Sequence, residues 1–336
     1  MKARIVACLL LSTAASADYS GHPDAARLLD DSELRQHYSR TELLQLLAQA
    51  RQVPALIQAE KKAPEKSRSW EDYRAIFLQE DRIAGGAQFM HRHAAALSWA
   101  QTLWGPPPEL ITAIIGVETR YGGYTGPHRV LDSLATQGFD HPSRRDFFYN
   151  ELREFLLLCR EHPLDPLSVQ GSYAGAMGLP QFMPSNYRRL AVDFDHDGAV
   201  NLWTTADAIG SAARYLAHYR APGWQAGEPV ALPVTLDTGE SLTSNSRAAP
   251  YIWQELSDRV SGELPPIAPD TPLGLLKLER EGRIQHWLAF ENFYSIMSYN
   301  PRTFYAMAVH ELSQAIAERA AQPRFTPLRV ATRSSR

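Results

Sequence analysis

The sequence predicts a mainly α protein, α+β in class, on three observations. Apolar residues recur at helical spacing through residues 18–104 and again in four later segments. One stretch, residues 226–290, changes to an alternating texture rich in β-branched and aromatic residues. Residues 171–204 are rich in Gly, Pro, Asn and Asp and read as ordered loop around one short helix near Pro184. With 336 residues, 44% hydrophobic and 21% charged, the chain can bury a substantial core, which excludes disordered, collagen-like and coiled-coil classes. A formal net charge of −3 argues against a nucleic-acid binder, which normally needs a basic face.

Residues 1–17 read as a cleaved signal peptide. Lys2 and Arg4 precede an apolar run from Ile5 to Leu11, and Ala15-Ser16-Ala17 is a small-residue cleavage site. The run is far shorter than the roughly 20 residues that span a bilayer, so no transmembrane segment is expected. In an alternative reading Cys8, after Ile5-Val6-Ala7, is the lipidated first residue of a lipoprotein. That leaves almost no apolar stretch before the cysteine, so export without a lipid anchor is expected. Cys159 is then the lone cysteine, in the apolar run from Phe155, and reads as a buried, inert thiol.

Residues 18–104 form the expected N-terminal helical region. Ser39 or Thr41 caps a helix carrying Leu43, Leu44, Leu46 and Leu47, Lys61 to Ser69 is a charged linker, and Trp70–Leu78 and Arg82–Leu103 continue the period. Pro106-Pro107-Pro108 opens a second region, 105–225, with helices from Pro108 or Glu109, from Arg145 to Arg160, and from Thr205 to Tyr219. Strand texture at Pro229–Leu236, Leu273–Glu279 and Ile284–Phe290 makes 226–290 a small, mainly β insertion. Residues 291–322, with a helix from Thr303 to Ala321, return to the helical core, and 323–336 form a basic tail.

Two segments carry chemistry. In Glu109–Gly123, a helix puts Ile111, Ile114, Ile115 and Glu118 on one face, one turn before a Gly122-Gly123 break. A carboxylate on an apolar stripe is either a general acid whose pKa burial raises, or a side chain that snorkels past the stripe edge or pairs with Arg120 or Arg144. In Asp193–Asn201, three aspartates at alternate positions followed by Gly198 match the opening of an EF-hand calcium loop, and Ala199 offers a carbonyl. The usual Glu at the twelfth position is replaced by Thr204, and Asp207 is placed to close the shell; the alternative is a solvated acidic turn. Fourteen tyrosines and seven tryptophans suit stacking on sugar rings or plain core packing. Zinc, nucleophile-elbow and phosphate-loop motifs are absent.

Together these segments resemble the MltB-type lytic murein transglycosylases. The matching residues are Gly116-Val117-Glu118-Thr119-Arg120-Tyr121-Gly122, Ser143-Arg144-Arg145, Gly171-Ser172-Tyr173-Ala174-Gly175-Ala176-Met177-Gly178 and Gln181-Phe182-Met183-Pro184-Ser185. The aspartate loop, Asp207-Ala208-Ile209-Gly210-Ser211, and Tyr299-Asn300 with Tyr305 to Val309 extend the resemblance, in order, over roughly residues 70–320. It implies a lysozyme-like helical core (105–225) with an added helical domain, an EF-hand-like calcium loop (193–207) and the small β insertion. It implies a structural calcium ion on Asp193, Asp195, Asp197, Ala199 and Asp207. The implied partner is the peptidoglycan glycan strand, and a periplasmic monomer is expected. The implied reaction breaks the β-1,4 bond between N-acetylmuramic acid and N-acetylglucosamine and leaves a 1,6-anhydro end.

A hydrolase flanks its bond with two carboxylates, whereas the lytic reaction draws its nucleophile from the substrate. Glu118 would therefore act alone, first as acid and then as base. Carried over by position, Ser172 and Gln181 would hydrogen-bond the sugar and Met177 would form groove wall. Tyr73, Tyr215, Tyr299, Asn300 and Tyr305 would line the cleft, and Arg144 and Arg145 would hold the acidic peptide stem. Two departures stand out: Leu179-Pro180 where the family usually has Tyr-Gly or a similarly small, flexible pair, and Tyr121 where Trp is commoner. The alternatives are a hydrolytic muramidase and, from another class, a calcium-stabilised peptidoglycan-binding protein without catalysis.

Overall fold

The computed structural model describes residues 18–56, 68–237 and 242–322. The expected signal peptide with Cys8, most of the charged linker and the basic tail lie outside them. No helix among the described residues is long and apolar enough to cross a membrane. The chain forms two compact units, one from residues up to 59 together with 127–175, the other from 60–126 together with 176–336. This differs from the expected division at residue 105. Pro106-Pro107-Pro108 punctuates the chain, but the Pro108–Thr119 helix packs against the Glu80–Arg92 and Ala94–Trp104 helices before it, so no unit boundary falls there.

In the first unit, short helices at Ala25–Leu29, Leu34–His37 and Arg40–Gln49 accompany the longer Val130–Asp140 and Arg145–Glu161 helices. Ser39 is the N-cap of Arg40–Gln49, with a complete capping box: its hydroxyl accepts from Glu42 N, and Glu42 accepts from Ser39 N. Tyr19 stacks on Phe139 at 5.1 Å and Tyr38 donates to the Leu156 carbonyl at 2.8 Å, binding the N-terminal segment to the later helices. Val130–Asp140, not predicted from the sequence, is buried at every residue from Val130 to Phe139. Cys159 is buried and free, and burial pushes its thiol up to about 12, as befits an inert sulfur.

In the second unit, the predicted Arg82–Leu103 helix is two, Glu80–Arg92 and Ala94–Trp104, parted where His93 leaves helical geometry. Thr303–Ala321 packs against Pro108–Thr119, Glu80–Arg92 and Trp70–Phe77, the last tied to it by the Arg74–Glu311 pair. The sheet spans Ala231–Ala289. Its strands run antiparallel in the order Tyr251–Ile252, Pro272–Arg280, Arg283–Ala289, Ala231–Leu236, Val260–Ser261. The central hairpin pairs Arg280 with Arg283 across Glu281-Gly282, both at positive φ (53° and 70°), as a two-residue hairpin turn requires. Leu276, Leu278 and Ala289 carry the sheet into the same core cluster as Leu110, Ile114 and Val309.

Candidate active site

Pro107 caps and Pro108 starts the helix that carries Glu118, where the lost N–H has no helical partner to miss. Residues 110–116 are all buried, so this helix is enclosed on every face rather than along a stripe. Glu118, in its last turn, is half-buried. Arg120 does not serve as the alternative partner considered above: it is exposed, with Asp81 at 3.5 Å and Gln79 at 3.4 Å.

Arg120, Tyr121 and Gly122 end the helix with three successive left-handed residues (φ 50°, 62° and 88°). Non-glycine residues pay for that conformation, and the surroundings hold them there. Thr119 Oγ1 accepts from Gly122 N at 3.1 Å and has the carbonyls of Ile115 and Leu179 within 3.2 and 3.0 Å for its proton. The Tyr121 ring lies so close over Gly116 that a Cβ there would come within 2.6 Å of it. Its hydroxyl donates to the Arg82 carbonyl (2.8 Å), and the Arg82 guanidinium donates to Gly116 O (2.6 Å). Tyrosine thus fills the position where tryptophan is commoner in the resembled family, with a hydrogen bond of its own.

Met177 and Phe182 exchange two backbone hydrogen bonds (2.9 and 3.0 Å) around a tight loop. Leu179 N donates to Leu202 O, and the Leu179 side chain packs on Gly122, so Leu179-Pro180 fastens the loop to the end of the Glu118 helix. Gln181, at φ 51°, spends its amide nitrogen on the carbonyls of Thr125 (3.1 Å) and Gly178 (2.9 Å), which leaves its oxygen as acceptor. Met177, expected as groove wall, is fully buried; it seats the loop and presents no surface.

Tyr305 donates to Glu118 Oε1 at 2.5 Å. Burial, and then the Glu118 carboxylate, push the Tyr305 hydroxyl well above the usual phenol range. Tyr299 is shifted the same way by burial, then by Tyr215 and Glu118; its hydroxyl is buried without a hydrogen-bond partner. Tyr215 lies 4.1 Å from Tyr299, ring to ring, and donates to Ser298 O at 2.8 Å. Tyr73 is buried in the core cluster that holds Tyr305, and Asn300 sits half-buried beside Tyr299. The structure therefore brings Glu118 together with Tyr299, Tyr305 and Tyr215. Ser172, Arg144 and Arg145 belong to the other unit. There Ser172 Oγ accepts from Ala174 N, Arg145 pairs with Asp24, and Arg144 lies over the rings of Phe147 (4.6 Å) and Phe148 (4.9 Å).

In the aspartate loop, carboxylate oxygens of Asp193, Asp195 and Asp197 lie within 4.8 Å of one another. Asp193 accepts from the amides of Asp197 and Gly198, and Gly198 takes the φ of 94° the turn needs. These all-oxygen donors suit a hard cation such as calcium. Asp207 is outside that group: it is buried, with one oxygen accepting from Phe194 N and the other from Asn201 N, both at 2.7 Å. Phe194 anchors the loop in the cluster that also holds Ile111, Ile115 and Leu179.

An acid at the end of an enclosed helix, within a helix-rich fold bearing a small sheet, defines a lysozyme-like, glycan-cleaving class of protein. Residues 21–314 match the transglycosylase SLT domain, and the chain belongs to that family. It is 38% identical over 316 residues to membrane-bound lytic murein transglycosylase B of Escherichia coli (strain K12), covering 89% of this chain and 84% of that protein. The Escherichia coli lytic transglycosylase Slt35, solved in complex with calcium, superposes with a TM-score of 0.82 at 36% identity, over 91% of this chain and 96% of that one. SltB3 of Pseudomonas aeruginosa, solved with NAG-anhNAM-pentapeptide, superposes with a TM-score of 0.72 at 27% identity, over 87% and 79%. The protein is a lytic murein transglycosylase, an enzyme that degrades peptidoglycan.

Proposed function

We propose that Glu118 is the single acid/base of the reaction. Protonated, it donates to the glycosidic oxygen as the bond to C1 of N-acetylmuramic acid breaks, while the substrate's own N-acetyl carbonyl assists at C1. The resulting carboxylate then takes the proton of the C6 hydroxyl as O6 closes on C1. One C–O bond breaks, one forms, no water is consumed, and Glu118 ends protonated. The observation that carries this reading is the Tyr305–Glu118 hydrogen bond, which fixes the carboxyl group at the end of an enclosed helix. Tyr299, with its unpartnered hydroxyl, Asn300, Gln181 and Ser172 are proposed sugar contacts, and the buried Tyr215 and Tyr73 are proposed to support the cleft from beneath. Arg144 and Arg145, beside a hollow of about 480 Å³ lined by residues 142–147, are proposed to meet the peptide stem.

The same reading assigns a structural calcium ion to Asp193, Asp195, Asp197 and the Ala199 carbonyl, with Asp207 closing the loop beneath it. The support is the oxygen cluster and the calcium complex of the Escherichia coli relative. It also assigns export to the periplasm by cleavage after Ala17, without lipid on Cys8. A Cys8→Ser chain that leaves the membrane fraction when the wild type does not would overturn that.

Mass spectrometry of muropeptides released from purified sacculi tests the reaction. Wild type is expected to release anhydro-ended products and Glu118→Gln none. Products heavier by one water, with reducing ends, would make the enzyme a hydrolytic muramidase.

A further inference from the structure

The tyrosines beside Glu118 continue outward to a residue outside the proposed cleft set. Tyr215 stacks on Tyr219 with ring centroids 4.5 Å apart and planes 14° from parallel, and Tyr219 is 37% exposed. The Arg189 guanidinium lies over the Tyr219 ring, 4.9 Å from its centroid. The Tyr219 ring thus touches both Tyr215 and the cation, and its contact with the guanidinium restrains the arginine. Arg189 sits on the Pro184–Leu190 helix, which starts directly after the Gln181–Met183 loop, and Phe182 of that loop packs on Tyr215 at 5.3 Å. The cation is thus attached at both ends to elements that hold Gln181 and Tyr299.

Arg189 is also chemically available. It is exposed, its guanidinium makes one weak contact, to Asn186 Oδ1 at 3.4 Å, and it forms no ion pair among the described residues. Arg145, by contrast, is already paired with Asp24. An arginine held by stacking loses little further freedom on forming a bidentate bond, and the ligand matching its fork is a carboxylate.

We infer that Arg189, held by Tyr219, is a substrate-binding residue that takes a carboxylate of the peptide stem on the glycan strand. This rests on the lytic transglycosylase reaction proposed above and adds a specificity element to it: strands with stems are preferred over bare glycan. Both residues are exposed, so their replacement leaves the core intact.

The test compares kinetics on glycan strands that carry stem peptides with strands stripped of them by an amidase. Arg189→Gln is expected to raise KM on peptide-bearing strands by about three- to tenfold, the scale of one exposed charge-assisted bond. It should leave kcat, and both constants on stripped strands, unchanged. Tyr219→Leu should move KM in the same direction by less, because the cation remains but is no longer held. An unchanged KM in Arg189→Gln, or an equal rise on both substrates, overturns the proposal. A wild type that releases no anhydro-ended product from either substrate overturns the underlying reaction, and this assignment with it.

Discussion

The Tyr305 hydroxyl donates a 2.5 Å hydrogen bond to Oε1 of Glu118, across 187 residues of sequence. Because burial and the neighbouring carboxylate hold its ionisation well above the usual range, Tyr305 stays a donor at neutral pH. Tyr305→Phe is therefore expected to keep the fold and lose the restraint on the acid. A charge-assisted bond of about 1.5–3 kcal/mol corresponds to a fall in kcat of roughly ten- to a hundredfold, with little change in KM. Steady-state rates on glycan strands decide it: an unchanged kcat would mean that Glu118 is oriented without this bond.

The aspartate loop gives a second prediction, in which two kinds of aspartate part company. Calcium should raise the melting temperature of wild type by mass action and a chelator should lower it. Asp195→Asn or Asp197→Asn should abolish that response, since each removes a charged oxygen from the cluster. Asp207→Ala should instead cost stability even without calcium, by about 2 kcal/mol, because it strands the buried amide of Phe194 and frees that of Asn201. Identical melting curves in calcium and chelator would remove the metal from this loop.

What could be read from the sequence followed burial on one side. Arg145–Glu161 and Thr303–Ala321 keep polar residues at helical spacing, and their ends were predicted within one residue. Val130–Asp140 is missed although Val130, Leu131, Leu134 and Phe139 keep helical spacing; its polar residues Asp132, Ser133, Thr136 and Gln137 are buried as well, so no solvated face marks it out. Its Gly138, where a Cβ would come within 3.0 Å of the Tyr149 backbone, reads in isolation as loop. The place of Glu118 on its helix leaves a general acid and a structural ion pair both open, and it is the resemblance that points to the acid and to its tyrosines. The amide bonds of Asp207 and the enclosure of Met177 depend on chain approaches that spacing does not encode. Nor does spacing bring the Arg189 guanidinium over the Tyr219 ring, which follows a different helix.

Gly274 and Tyr294 form a third test, on packing between the sheet and the helices. A Cβ on Gly274 would lie 1.8 Å from the Tyr294 hydroxyl and 3.1 Å from Cζ. Gly274→Ala should then destabilise by about 1–3 kcal/mol through overpacking. The hydroxyl is itself buried without a partner, so Tyr294→Phe should be neutral or slightly stabilising. The double variant should recover part of the alanine's cost, seen as a non-zero coupling in a double-mutant cycle of urea unfolding. Strict additivity would show that the strand moves aside instead.

His310 predicts how the fold responds to acid. It is buried on Thr303–Ala321, edge-on to Trp287 at 6.3 Å, with Nε2 lacking any partner. Burial pushes its pKa from 6.5 down to about 4, against the opposing effect of a hydrogen bond to the Ala231 backbone. Between those values the unfolded chain binds a proton that the folded protein refuses. Stability from this site is thus fully present above pH 6.5 and is lost as pH falls towards 4, by up to about 3 kcal/mol. His310→Gln cannot titrate, so its urea midpoint should fall less steeply than wild type across that window, whatever its stability at neutral pH. The carboxylates contribute equally to both proteins and cancel in the difference. Parallel slopes would mean that the imidazole gains a proton in the folded state as readily as in the unfolded one, and that the orphaned nitrogen is solvated.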